Sequence, residues 1–198
     1  MKTIALALVA LALAGCASMS PSLTEMPALP HIAEPAKGVF TSGRLTEAHV
    51  ASIQQSGIRE VIDLTLDSET PDFDEAAAAR NRGMVYRNLP IKGADGLSME
   101  NVLAFDALLR SAKRPVLVHC ASSNRVGAMA ALKAAWIDGA TTEDAIAIGK
   151  SWTGGNGNTE LNSRTCVEAG EWNSFSGRPR SAAGSESSVE RGRSVWRY

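Results

Sequence analysis

The chain has 198 residues, 44% of them hydrophobic, and a formal net charge of -1. That length and apolar share fit one domain of ordinary size with a real core. The near-zero charge gives no basic field for holding nucleic acid, and no apolar run reaches the roughly 20 residues that a membrane-spanning helix needs.

Residues 1–15 read as a signal segment outside the fold. Lys2 supplies a positive start, and Ile4 to Ala14 form an apolar run too short to cross a bilayer. Leu13-Ala14-Gly15-Cys16 follows and resembles the bacterial lipobox. The resemblance implies cleavage before Cys16 and lipid on that cysteine. It also implies a chain anchored at the cell envelope and facing the periplasm, with Ala17 compatible with an outer membrane. An ordinary secretory signal with an incidental cysteine is the other reading. Cys120 and Cys166 would then lie in an oxidising compartment, where their pairing is open. Residues 16–38 carry Pro21, Pro27, Pro30 and Pro35 with little periodicity, as an extended tether does.

The domain is expected over residues 39–153. Val39 to Ser42 reads as a short strand ended by Gly43. Thr46 caps a helix running to about Ser56, with Val50 and Ile53 on one face. Ile58 to Leu66 is β-branched and apolar, as a buried strand is. Asp67 to Pro71 is a turn. Asp72 with Glu75 has the capping-box spacing, opening a helix to Arg82. Met84 to Ile91 reads as a third strand, ending or lying at an edge because of Pro90. The loop Lys92 to Leu97 follows. Ser98 then caps a helix with Val102, Phe105, Leu108, Leu109 and Ala112 at helical spacing.

Pro115 opens the central stretch, PVLVHCASSNRVG, over residues 115–127. Its apolar run turns polar at His119-Cys120, and a helix apolar nearly all round runs from Arg125 to about Asp138, ended by Gly139. Thr141 to Trp152 is the last helix, and Trp136 and Trp152 read as core. Strands alternating with helices imply an α/β three-layer sandwich with a mostly parallel sheet. Ligands in such sheets sit at the carboxyl ends of the strands, where Cys120 falls. A helix N-terminus and a nearby arginine both favour an anion and a thiolate, so the loop points to nucleophilic chemistry on phosphate. Residues 154–198, rich in Ser and Gly, read as a mostly disordered tail or, equally, as a frame-shifted or otherwise atypical end, since the periodic pattern stops abruptly near Trp152.

His119-Cys120 followed by Arg125 resembles the signature of cysteine-dependent phosphatases, but only four residues separate Cys120 from Arg125, where that signature has five. The match is closer to a bacterial family: the phosphatase-like domain named for its fusion to β-lactamase-like hydrolases. Thr41-Ser42-Gly43, Val61-Ile62-Asp63-Leu64 and the run from His119 to Gly127 carry the resemblance. It implies a dual-specificity-phosphatase-like fold and hydrolysis of phosphate monoesters through a phosphocysteine on Cys120. Backbone N–H groups of Ala121, Ser122, Ser123, Asn124, Arg125 and Val126 would bind the phosphoryl oxygens. Arg125 would add a bidentate grip, and His119 would support the thiolate. Asp95, flanked by Gly93 and Gly96, resembles the phosphatase acid in position; Asp63 and Asp67 are weaker candidates, and the other reading of Asp95 is a turn residue. Val126 stands where phosphatases usually carry Ser or Thr, Ser122 or Ser123 would have to compensate, and Asn124 tolerates left-handed angles in place of glycine.

No cofactor is expected, and no His/Cys/Asp spacing indicates a metal. His31 and His49 look unremarkable. The partners expected are a phosphorylated substrate and a membrane reached through lipid. A rhodanese-like sulfurtransferase, whose loops are shorter, and an inactive phosphate-binding module are the competing readings.

Overall fold

The computed structural model describes residue 22 and residues 26–155. The signal segment, Cys16, Cys166 and the tail from residue 156 lie outside the described residues. Five strands form one sheet: β1 (Ala33–Ala36), β2 (Val39–Ser42), β3 (Glu60–Asp63), β4 (Val85–Asn88) and β5 (Val116–His119). Their order is β1-β2-β5-β3-β4. β1 is antiparallel to β2, and the other neighbours are parallel. β5 is therefore central, with His119 in register with Ser42 on one side and Asp63 on the other.

The helices are α1 (Glu47–Gln55), α2 (Glu75–Asn81), α3 (Met99–Ser111), α4 (Asn124–Trp136) and α5 (Thr142–Ser151). Thr46 and Ser98 cap α1 and α3 through their hydroxyls, as their positions in the sequence predict, and Thr141, read as the first residue of the last helix, is the hydroxyl cap of α5. At α1 the box is closed by His49, whose Nδ1 accepts from the Thr46 backbone. The cap of α2 is Asp74, which accepts from the Ala77 N–H, and not Asp72. The helix starts two residues later than the Asp72–Glu75 spacing implies, and Glu75 is released for another role.

Alternation along β5 divides the core. Val116 and Val118 pack in one cluster with Phe105, Met129, Leu132, Trp136 and Trp152, under α3, α4 and α5. Leu117 packs in the other with Val50, Ile53, Val61 and Ala79, under α1 and α2. The result is helices, sheet, helices: the three layers expected. α4 is buried from Val126 to Ala134, which its apolar composition anticipates.

The stretch assigned to the tether begins to pack before Val39. Met26 and Leu29 are buried in the second cluster, and β1 is an edge strand containing Pro35. Proline at an edge costs no internal ladder bond, so four prolines did not exclude structure here. The strand expected over residues 58–66 narrows to Glu60–Asp63. The turn after it includes a 3-10 helix, Asp67–Glu69, and the loop after β4 includes another, Gly93–Gly96. Among the described residues no helix is long and apolar enough to cross a membrane.

Candidate active site

β5 ends at His119, and the next residue, Cys120, is 0% exposed. Its neighbours in the cluster include Val118 and Val126, so it lies on the α4 side of the sheet. The loop is held from the β2 side. The Cys120 N–H donates to Ser42 O at 3.4 Å, and the Arg44 N–H to Ala121 O at 3.1 Å. Gly43 forms a bridge with Ser122. A Cβ on Gly43 would sit 3.3 Å from Ala121 O and 3.2 Å from Pro30 Cβ, so a side chain there would crowd the loop. That is a physical reason for glycine in Thr41-Ser42-Gly43.

The chain turns into α4 at Ser123, which has φ of 61° and is fully buried. The left-handed residue is thus Ser123, not Asn124, which is already the first residue of α4. With one residue fewer between Cys120 and Arg125, the turn has to be made earlier. The Ser123 hydroxyl donates to His31 O at 3.4 Å and does not cap the helix.

Arg125 lies in the first turn of α4, where a cation is disfavoured unless anions or carbonyls surround it. Its Nη1 donates to the carbonyls of Leu64 and Ile91, both at 3.0 Å. Nη1 and Nη2 also grip Glu69 at 2.7 and 2.6 Å. Burial works against the guanidinium's charge, but the Glu69 hydrogen bonds and contact with Cys120 outweigh it and raise Arg125 above its usual value. The Glu69 carboxyl is held below its usual value, chiefly by Arg125, with Arg44 also adding to the effect. A guanidinium has two bidentate edges. Glu69 takes the end edge, Nη1 with Nη2, and none of these contacts uses Nε.

His119 points to the opposite side of the sheet from Cys120. Its Nε2 lies 2.7 Å from Glu75 Oε1 and 3.4 Å from Asp63 Oδ1. These are close charge contacts, yet neither ring nitrogen has an aligned hydrogen bond among the described residues. Burial disfavours a charged imidazole here, but Glu75, Asp63 and the Cys120 backbone outweigh it and raise His119 above its ordinary value.

Asp95 is exposed on the 3-10 helix after β4. The same loop reaches Arg125 through the Ile91 carbonyl. Asp63 is buried at the end of β3, where Thr65 and Tyr86 donate to it. Asp67 is exposed at the start of its 3-10 helix. Sequence reasoning missed Glu69 and Glu75. Glu69 lay in a stretch read only as a turn, and Glu75 was absorbed into a capping box. The available signal was Arg125 itself, an arginine in a first helical turn that demands a nearby negative charge.

Comparison with known proteins gives this geometry a context. A beta-lactamase hydrolase-like protein from Xylella fastidiosa (strain Temecula1 / ATCC 700964) is 30% identical over 109 residues, covering 53% of this chain and 25% of that protein. The chain thus spans about a quarter of the length of the curated relatives it matches. A DUF442 protein from Shewanella putrefaciens superposes with a TM-score of 0.56 at 24% identity, covering 75% of this chain and 97% of that one. TpbA from P. aeruginosa, solved in complex with pTyr, superposes with a TM-score of 0.54 at 21% identity, covering 71% and 83%. The fold is that of the cysteine and protein-tyrosine phosphatases. Residues 36–137, more than half of the chain and the stretch that holds β2 to β5 and the Cys120 loop, match one family, and the chain belongs to it: beta-lactamase hydrolase-like protein, phosphatase-like domain.

Proposed function

We propose that this phosphatase-like domain hydrolyses phosphate monoesters with Cys120 as nucleophile, in a chain lipid-anchored through Cys16 and facing the periplasm. The observation that carries the chemistry is the meeting of Cys120 and Arg125 where the central strand gives way to α4. The Cys120 thiolate attacks phosphorus. An S–P bond forms as the ester P–O bond breaks, and the leaving oxygen takes a proton from Asp95. Water then gives a proton to the Asp95 carboxylate as it attacks the phosphocysteine; the S–P bond breaks, phosphate leaves, and the thiolate and the Asp95 acid are both restored. Backbone N–H groups from Ala121 to Val126 and the Nε–Nη2 edge of Arg125 hold the phosphoryl oxygens, each preorganised donor supplying about 3 kcal/mol of transition-state stabilisation. The phosphotyrosine bound by TpbA makes an aryl phosphate the first substrate to try.

The test is turnover of p-nitrophenyl phosphate by the reduced protein, run beside thiosulfate with cyanide. Phosphate release is expected, abolished by Cys120→Ser and lowered at least about 100-fold by Arg125→Ala. Asp95→Asn lowers turnover of poorly activated alkyl phosphates more than of p-nitrophenyl phosphate, whose leaving group needs little protonation. Thiocyanate formation without phosphate release would replace the proposal with sulfur transfer. Vanadate binding without turnover would reduce the domain to an anion receptor.

A further inference from the structure

Three ionisable groups meet on the face of the sheet turned away from Cys120. Asp63 and His119 are register partners on β3 and β5, so their side chains project to the same side. Glu75, the first residue of α2, comes down over them. All three are buried, and one donor atom from each lies within 4.8 Å of the others. Glu75 Oε1 and both nitrogens of His119 lack an aligned hydrogen bond among the described residues. Glu75 Oε1 and His119 Nε2 face each other at 2.7 Å without that alignment, a costly arrangement for buried groups that a cation bound by both would relieve.

The charge around the group indicates the sign of that ligand. An open cavity of about 350 Å³ is lined by Asp63 and Glu75 and also by Asp67 and Asp74, with Thr65 and Tyr86. Among the described residues no lysine or arginine lines it. Four carboxylates around one opening draw a cation and repel a phosphate, so this is not an extension of the anion loop.

The spacing and chemistry narrow the cation. Donors around a tetrahedral ion with bonds of about 2.0–2.2 Å lie roughly 3.3 Å apart. The Nε2 to Asp63 Oδ1 distance of 3.4 Å already fits, and the 2.7 Å to Glu75 Oε1 has to open by a few tenths of an ångström. Imidazole beside carboxylates suits zinc and its neighbours better than calcium or magnesium. Asp63 is also held by outer hydrogen bonds, from the Thr65 hydroxyl at 2.7 Å and from the Tyr86 hydroxyl at 2.7 Å, as metal-binding carboxylates commonly are.

We propose that Asp63, Glu75 and His119 bind one divalent transition-metal ion of the zinc class, entering through the acidic cavity with its fourth position open to that cavity. The ion replaces the imidazole proton and ties the ends of β3 and β5 to the start of α2. It does not touch the thiol, which lies on the other face. Its influence on the loop comes through the position of His119, the residue before Cys120.

The test uses the full chain in detergent, stripped with a chelator and titrated with Zn2+. One equivalent per chain and a thermal midpoint that rises with free Zn2+ are expected. Glu75→Gln should weaken binding at least tenfold, and Tyr86→Phe about tenfold. Cys120→Ser should bind as the parent does. Co2+ bound to Cys120→Ser should show d–d bands in the visible range without a sulfur-to-cobalt charge-transfer band. Loss of binding in Cys120→Ser, a charge-transfer band in that variant, or undiminished binding in Glu75→Gln would each overturn the proposal. If Glu75→Gln does not fold, the Co2+ spectrum decides: bands without sulfur character support the site, and no bands sink it.

Discussion

Arg125 is oriented before any anion arrives. Two carbonyls and the Glu69 carboxylate hold the end of its fork, and the edge that includes Nε is the one that can turn to a phosphoryl group. Glu69 is therefore a positioning residue, acting through Arg125. Glu69→Gln keeps the side chain's size and loses its charge. It should lower kcat on p-nitrophenyl phosphate about tenfold with a smaller change in KM, because misplacing a transition-state contact costs rate more than ground-state binding. The pair also makes stability depend on pH. The folded carboxyl titrates below its ordinary 4.5, so its contribution is complete above that value and is lost as pH falls through the lowered folded value. Neutral pH should thus show a deficit of about 1 kcal/mol for Glu69→Gln in urea unfolding, modest because the carboxylate is partly open to solvent. The deficit should shrink in acid below pH 4.5. A deficit that grows in acid would contradict the pairing.

At the scale of elements, α5 is the buttress that keeps α4 in place. The two pack so closely that a Cβ on Gly149 would lie 2.7 Å from Gly127 O and 2.9 Å from Ala131 Cβ. Glycine inside a helix normally costs about 1 kcal/mol relative to alanine, so Gly149→Ala would stabilise an isolated α5. Here overpacking should win and destabilise the domain by roughly 1–3 kcal/mol, read as a lower thermal midpoint. Because Gly127 is in the first turns of α4, beside Arg125, the displacement should also reduce turnover. An unchanged or higher midpoint would mean that the helices separate without cost. This contact was not legible in the sequence: Gly149 sits mid-pattern among Ala145, Ile146 and Ile148, and nothing local says which glycine faces another backbone. What was legible depended on local chemistry. Hydroxyl caps at Thr46 and Ser98 and the apolar run of β5 each announce themselves within a few residues.

For the molecule as a whole, the layer order and the place of Cys120 follow from local rules, because alternating strands and helices leave few arrangements. The partners of Arg125 and His119 do not follow, since Glu69 and Glu75 come from stretches far away in sequence and are brought in only by the sheet order. The beginning of the domain was obscured for a different reason: prolines read as a tether, while Met26 and Leu29 supply apolar surface that the α1 and α2 side buries. This bears on the proposed anchor. If lipid is attached at Cys16, nine residues lie between it and Met26, a reach of at most about 35 Å when fully extended. A tether running from Cys16 to Lys37 would reach roughly twice that distance. On that anchor the domain would be held close to the bilayer surface, with phosphate esters at headgroup depth within its range. Cys16→Ser should move the protein from the membrane pellet to the soluble fraction, while turnover of soluble p-nitrophenyl phosphate stays the same, because Cys16 takes no part in the loop chemistry. Retention in the membrane after Cys16→Ser would reject the lipid anchor and leave a different signal to be found.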